Sequence, residues 1–287
     1  MRKLSLLLRA TLVLFFAFTC SAAEILKDIE YARVDGATLG LDLYKPKKQT
    51  GPLIVYVHGG AWRSGSKKEM PLGDLVDSGY PVATIDYRLS TVARFPAQVH
   101  DIKAAVRFLR ANASKLGIHA KQIIIAGSSA GAHLAALVGV TNGNRDLEGD
   151  IGEHKNESSD VQGIISFFGA SDLTTILKQS TPHGLSVREP ALDLLLGAQP
   201  DKVPELARLA SPVFHVDKND PPLLLIHGDQ DPQMPINQSH QLQGAYEAAG
   251  AKVTFKVLHG AGHGGKVFYE PEQIALVKDF LRKNVRR

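Results

Sequence analysis

An α/β architecture, one mainly parallel sheet with helices on both faces, is what this sequence predicts. Two patterns carry the prediction. Short apolar runs such as PLIVYV (52–57), KQIIIA (121–126) and PLLLI (222–226) recur along the chain, each the length of a buried strand. Longer segments of helical periodicity lie between them, so strands alternate with helices. Length and composition agree. The chain has 287 residues, 44% hydrophobic and 22% charged, enough for one sizeable core.

The first 23 residues stand apart. Arg2, Lys3 and Arg9 precede or flank an apolar stretch, ATLVLFFAFT at 10–19, followed by the small residues Ser21, Ala22 and Ala23. The stretch is shorter than the roughly 20 residues that span a bilayer. This is the pattern of a secretory signal peptide over 1–23, so the expected location is secreted or periplasmic, with no stable membrane association. Its removal takes away three cations and lowers the formal charge from +4 to +1. A near-neutral chain gives no basis for nucleic-acid binding. Cys20, the only cysteine, leaves with the signal, so the core alone must hold the exported domain. Asn112, Asn156 and Asn237 each open an N-x-S sequon, which matters only where the source glycosylates.

The domain at 24–287 begins with two strands, 25–34 and 38–44, joined at Asp35-Gly36 as an edge hairpin. Further strands are expected near 53–57, 82–86, 122–126, 162–168, 222–226 and 252–258, making eight. Helices are expected near 69–78, 97–115, 130–140, 236–249 and 271–284. In the second of these Val99, Ile102, Ala105, Val106 and Leu109 recur at the spacing of one buried helical face. Two insertions interrupt the alternation. Residues 172–220, with helices expected at 190–196 and 203–209, read as a small cap over the carboxyl ends of the strands, where open α/β sheets bind ligands. The polar stretch 141–160 reads as a mobile surface loop. Its acids Asp146, Glu148, Asp150 and Glu153 fit no standard calcium loop.

Four motifs carry the chemistry. Residues 127–131 read GSSAG, with Ser129 central, between the apolar run 121–126 and the helix-forming run 132–140. A strand that turns sharply into a helix exposes such a serine on a strained corner. Upstream, the strand at 53–57 runs into His58-Gly59-Gly60-Ala61-Trp62. The N–H groups of Gly59 and Gly60, with that of Ala130 after the serine, are candidates for an oxyanion hole; the alternative is a plain turn after a strand. Downstream, HGDQDP at 227–232 offers two acids to orient a histidine. Asp231, before Pro232 and deeper in the loop, is favoured over Asp229, and both could be turn acids. Last, GAGHGG at 260–265 presents His263 as general base, with His259 its rival. The two histidines have a metal-like spacing but no acidic or cysteine ligand nearby, so no metal is expected.

The order Ser, Asp, His is that of α/β-hydrolases. Together HGGAW, GSSAG, HGDQDPQMP and GAGHGG, with Asp86-Tyr87-Arg88-Leu89 and Asp101-Ile102-Lys103-Ala104-Ala105, resemble an α/β-hydrolase carboxylesterase of the bacterial feruloyl/acetyl esterase group related to hormone-sensitive lipases. The resemblance covers nearly all of 24–287. It implies the α/β-hydrolase fold, Ser129 as nucleophile, Asp231 as acid, His263 as base, and Gly59, Gly60 and Ala130 around the oxyanion. The mechanism it implies needs no cofactor. Expected secretion points to a small-molecule or polysaccharide-linked ester, and the short cap with bulky Trp62 and Arg63 to a short or small aromatic acyl group. Two departures are Ala61, where many relatives carry a third glycine, and Met234, where valine is common. Bulky Trp62 and Arg63 either crowd the acyl site or, for Trp62, pack beneath the loop. The alternatives are an arylformamidase-type amide hydrolase, a peptidase of the prolyl-oligopeptidase type and a non-catalytic binding protein on a hydrolase fold.

Overall fold

A computed structural model describes residues 23–285, so the expected signal segment, Ala23 excepted, lies outside the described residues. In chain order the described elements are β1 (Glu24–Val34), β2 (Ala37–Lys45), β3 (Leu53–Val57), α1 (Gly73–Asp77), β4 (Val82–Ile85), α2 (Ala97–Ala111), α3 (Ala113–Leu116), β5 (Ile123–Ser128), α4 (Ala130–Gly139), β6 (Gly163–Phe167), α5 (Ile176–Gln179), α6 (Pro182–Leu196), α7 (Pro204–Leu209), β7 (Leu223–Gly228), α8 (Asn237–Ala249), β8 (Val253–Leu258) and α9 (Pro271–Asn284). The eight strands form one sheet in the order β1-β2-β4-β3-β5-β6-β7-β8. β2 pairs antiparallel with both neighbours, and every pair from β4 to β8 is parallel. This is the expected mostly parallel eight-stranded sheet.

The sheet divides the core in two. In β5, Ile123 and Ile125 face one side and Ile124 and Ala126 the other, as the two-residue period of a strand requires. The first side is covered by α2, α4 and α8, the second by α1 and α9. Because both faces are covered, the central strands read as unbroken apolar runs.

Several elements differ from the expected bounds. The helix expected over 69–78 is only Gly73–Asp77, because Pro71 lacks an N–H and disfavours helix at Met70. The long helix over 97–115 breaks at Asn112 into α2 and α3. The helix expected at 190–196 begins instead at Pro182, where Thr181 caps the Gly184 N–H at 3.0 Å, and it runs through Pro190. The cap and a proline at the first helical position start the helix, and burial of Ala191, Leu192, Leu195 and Leu196 beyond Pro190 helps to offset an interior proline that costs about 3 kcal/mol. The stretch 141–160 is pinned to α2. Glu148 pairs with Lys103 at 3.2 Å and with Arg107, while Arg110 donates to the carbonyls of Ser158 (2.9 Å) and Asp160 (2.7 Å).

Candidate active site

The site lies at the carboxyl ends of β3, β5, β7 and β8. Ser129 is the single residue between β5 and α4, at φ 51 and ψ −118, a conformation that costs a non-glycine residue about 1–3 kcal/mol. Its neighbours hold it there. A Cβ on Gly127 would lie 2.4 Å from the Gly131 carbonyl oxygen, and one on Gly131 only 2.1 Å from that of Val57. The two glycines of the pentapeptide are thus fixed by close approach of backbone to backbone.

The Ser129 hydroxyl donates to His263 Nε2 at 2.9 Å, and His263 Nδ1–H donates to Asp231 Oδ2 at 2.7 Å. His263 comes from the loop after β8, and Asp231 from the loop after β7. The other Asp231 oxygen accepts the N–H groups of Gln233 and Met234, both at 2.8 Å. His227 adds a further contact, its Nε2 lying 3.3 Å from Asp231 Oδ2 and 3.1 Å from the Met234 carbonyl. Burial would raise the Asp231 carboxyl. The hydrogen bonds from His227 and His263, the His263 charge and the Met234 N–H outweigh it and hold the group well below the usual carboxylate range. His227 was not singled out by its sequence position. Its only signal was a histidine at a buried strand end.

Asp229 pairs instead with exposed His259, at 2.7 Å. Asp172 is occupied by Thr174 and Gln241. Neither acid is hydrogen-bonded to His263.

Gly60, Ala61 and Trp62 all have positive φ, at 107, 51 and 60. Ala61 therefore occupies a left-handed position that glycine adopts without strain. Gly59 abuts the nucleophile, since a Cβ there would lie 3.5 Å from Ser129 Cβ. Gly59, Gly60, Ser129, Phe168, Gln233 and His263 line a cavity of about 420 Å³. Among the described residues, the N–H groups of Gly59, Gly60 and Ala130 donate to no backbone acceptor, and Gly59 and Gly60 line the cavity.

Trp62 does not enter this cavity. It is fully buried, donates to His133 Nδ1 at 3.1 Å, and lies 5.9 Å beneath the Arg188 guanidinium of α6. The insertion 172–220 contributes no lining residue. It grips the acid loop from behind, through Thr181 to the Pro232 carbonyl and Arg188 to the Gln233 carbonyl. A larger cavity, about 700 Å³, opens beside Gln49, Tyr80, Lys121 and Lys278. It lies at the opposite, amino-terminal ends of β3 and β5 and holds none of these groups, so size alone does not mark the chemistry.

Known proteins resemble the chain in sequence and in fold. The BD-FAE family profile matches residues 41–246. Esterase LipC of Mycobacterium tuberculosis is 32% identical over 78% of this chain and 56% of its own length. A truncated carbohydrate esterase from gut microbiota superposes with a TM-score of 0.83 at 34% identity, over 91% of this chain and 96% of its own. The propionate-bound Est2 esterase of Thermogutta terrifontis superposes at 0.72 and 27% identity, over 92% and 96%. The chain spans about half the length of the curated relatives it matches.

Proposed function

The chain belongs to the BD-FAE family, and from that premise we propose that it is a serine carboxylesterase working through Ser129, His263 and Asp231. Ser129 Oγ attacks the ester carbonyl while His263 Nε2 takes its proton. Asp231 holds the Nδ1–H tautomer and stabilises the imidazolium. The N–H groups of Gly59, Gly60 and Ala130 receive the oxyanion, each donor contributing about 3–4 kcal/mol to lowering the barrier. His263 then protonates the leaving alcohol, and water attacks the acyl-enzyme by the same route in reverse. The chemistry uses no cofactor.

The observation that carries this reading is the continuous hydrogen-bonded line from Ser129 through His263 to Asp231, at 2.9 and 2.7 Å. The substrates are esters of short acyl groups, acetyl to butyryl, or of small aromatic acids. A cavity of about 420 Å³, shared between acyl and alcohol groups, supports that size, as does the propionate in the Thermogutta terrifontis neighbour. The sequence of 1–23 adds the expectation of export to the periplasm or beyond. The test is a series of p-nitrophenyl acetate, butyrate, octanoate and laurate with a feruloyl ester alongside. The highest kcat/KM is expected for acetate, butyrate or the feruloyl ester. A laurate value well above both acetate and butyrate contradicts the assignment.

A further inference from the structure

Beside Ser129 the cavity carries a carboxylate that the proposed mechanism does not use. Glu69, in the turn ahead of α1, is exposed and lines the cavity. Its Oε1 accepts the hydroxyls of Tyr56 at 2.9 Å and Ser128 at 3.0 Å. Tyr56 is a fully buried residue of β3, and Ser128 is the last residue of β5, next to the nucleophile. Two central strands therefore fix this carboxylate, rather than its own loop. Tyr269, on the same lining, adjoins the Tyr56 and Ser128 hydroxyls, and burial pushes its phenol above the usual range, so it remains a hydrogen-bond donor. Both Glu69 partners are neutral hydroxyls, and among the described residues no cation forms a contact pair with it. Arg63 lines the cavity as well, without a salt bridge to Glu69 among the described residues.

Resting on the carboxylesterase reading, we propose that Glu69 is a specificity-determining residue that selects esters whose alcohol is neutral and rich in hydroxyls and rejects those carrying a carboxylate there. The free Oε2 accepts a hydrogen bond from a ligand hydroxyl, and Tyr269 donates one. A ligand carboxylate in the same place meets a held like charge that no salt bridge among the described residues neutralises. Sugar and polyol esters meet the requirement. Uronate esters of the same size and shape do not.

The test compares kcat/KM on a matched pair, an acetylated methyl glucoside and the corresponding acetylated methyl glucuronoside, with p-nitrophenyl acetate alongside. The variants are Glu69→Gln, which keeps the shape and the acceptor, and Glu69→Asp, which keeps the charge. The native protein is expected to prefer the glucoside by about tenfold or more, the discrimination of one unfavourable charge contact. Glu69→Gln narrows that ratio at least about fivefold, chiefly by lowering KM for the glucuronoside, and Glu69→Asp retains the preference. Equal treatment of the two sugars by the native protein overturns the proposal, as does a ratio unchanged in Glu69→Gln. Cleavage of p-nitrophenyl acetate with neither sugar ester touched also overturns it. A native protein that leaves p-nitrophenyl acetate intact overturns the carboxylesterase reading itself, and this proposal with it.

Discussion

Two histidine–aspartate pairs stand at the carboxyl ends of β7 and β8, and their hydrogen bonds are equally short. His263 lies 2.7 Å from Asp231, and His259 lies 2.7 Å from Asp229. Burial separates them. The side chains of Asp231 and His263 are 0% and 15% exposed, those of Asp229 and His259 29% and 87%. An exposed pair is screened by solvent and contributes little. The buried carboxylate accepts two backbone N–H groups as well as two histidines; His263 continues to Ser129 at the elbow, whereas His227 continues to Ser239, buried in α8. A short contact is therefore not by itself a catalytic one. What distinguishes the inner pair is the set of donors behind the acid and the nucleophile in front of the base.

The comparison is broken most severely at the nucleophile. Ser129→Ala, or His263→Ala, should lower ester turnover on the order of a millionfold, with the circular dichroism spectrum retained. Next comes the inner acid. Asp231→Asn should lower kcat by about ten-thousandfold with little change in KM, because the histidine loses its orienting acceptor.

A third histidine offers a smaller test, of stability rather than turnover. His133 is fully buried, accepts from Trp62 at Nδ1, and donates from Nε2 to the Ala210 carbonyl at 2.7 Å. Burial, with Arg188 adding to it, pushes its pKa down to about 4. Its folded value lies below the unfolded one of about 6.5, so the unfolded chain binds more protons between the two. Stability should fall as the pH drops from about 6.5 to about 4, by about 3 kcal/mol from this residue. Urea denaturation at pH 7 and pH 4.5 checks it, and His133→Gln should flatten that part of the profile.

The smallest effect sharpens the comparison from the other side. His259→Ala and Asp229→Asn should each change kcat/KM by less than about threefold, as for surface groups outside the reacting line. A loss comparable to that of Asp231→Asn in either variant would move the acid to the outer pair.

How far the sequence exposes this arrangement follows from which constraints are local. The strand, the tight elbow and the glycines at 127 and 131 are written within a few residues, because each glycine is required by backbone that packs directly against it. The order of Ser129, Asp231 and His263 was legible for the same reason, as each follows its own apolar strand. Trp62 was ambiguous, since a bulky residue beside an oxyanion loop reads equally as pocket wall or as packing until His133 and Arg188 are seen around it. Glu148 reads as part of a mobile loop because its partners Lys103 and Arg107 lie more than forty positions away. Ion pairs across such distances leave no periodic trace. Glu69 is silent in the sequence because its two hydroxyl partners sit on strands β3 and β5, which only the sheet brings to its loop. The grip of residues 172–220 on the acid loop is not legible in the sequence, because carbonyl contacts such as Arg188 to Gln233 depend on tertiary placement alone.

The most direct test of the inner pair as the reacting one is covalent labelling by a fluorophosphonate, read by peptide mass spectrometry. The native protein should carry the label on Ser129 and nowhere else. Labelling should vanish in Ser129→Ala, slow by several orders of magnitude in His263→Ala, and proceed at the native rate in His259→Ala. A label on any other serine, or a His259→Ala protein as slow as His263→Ala, would contradict the account.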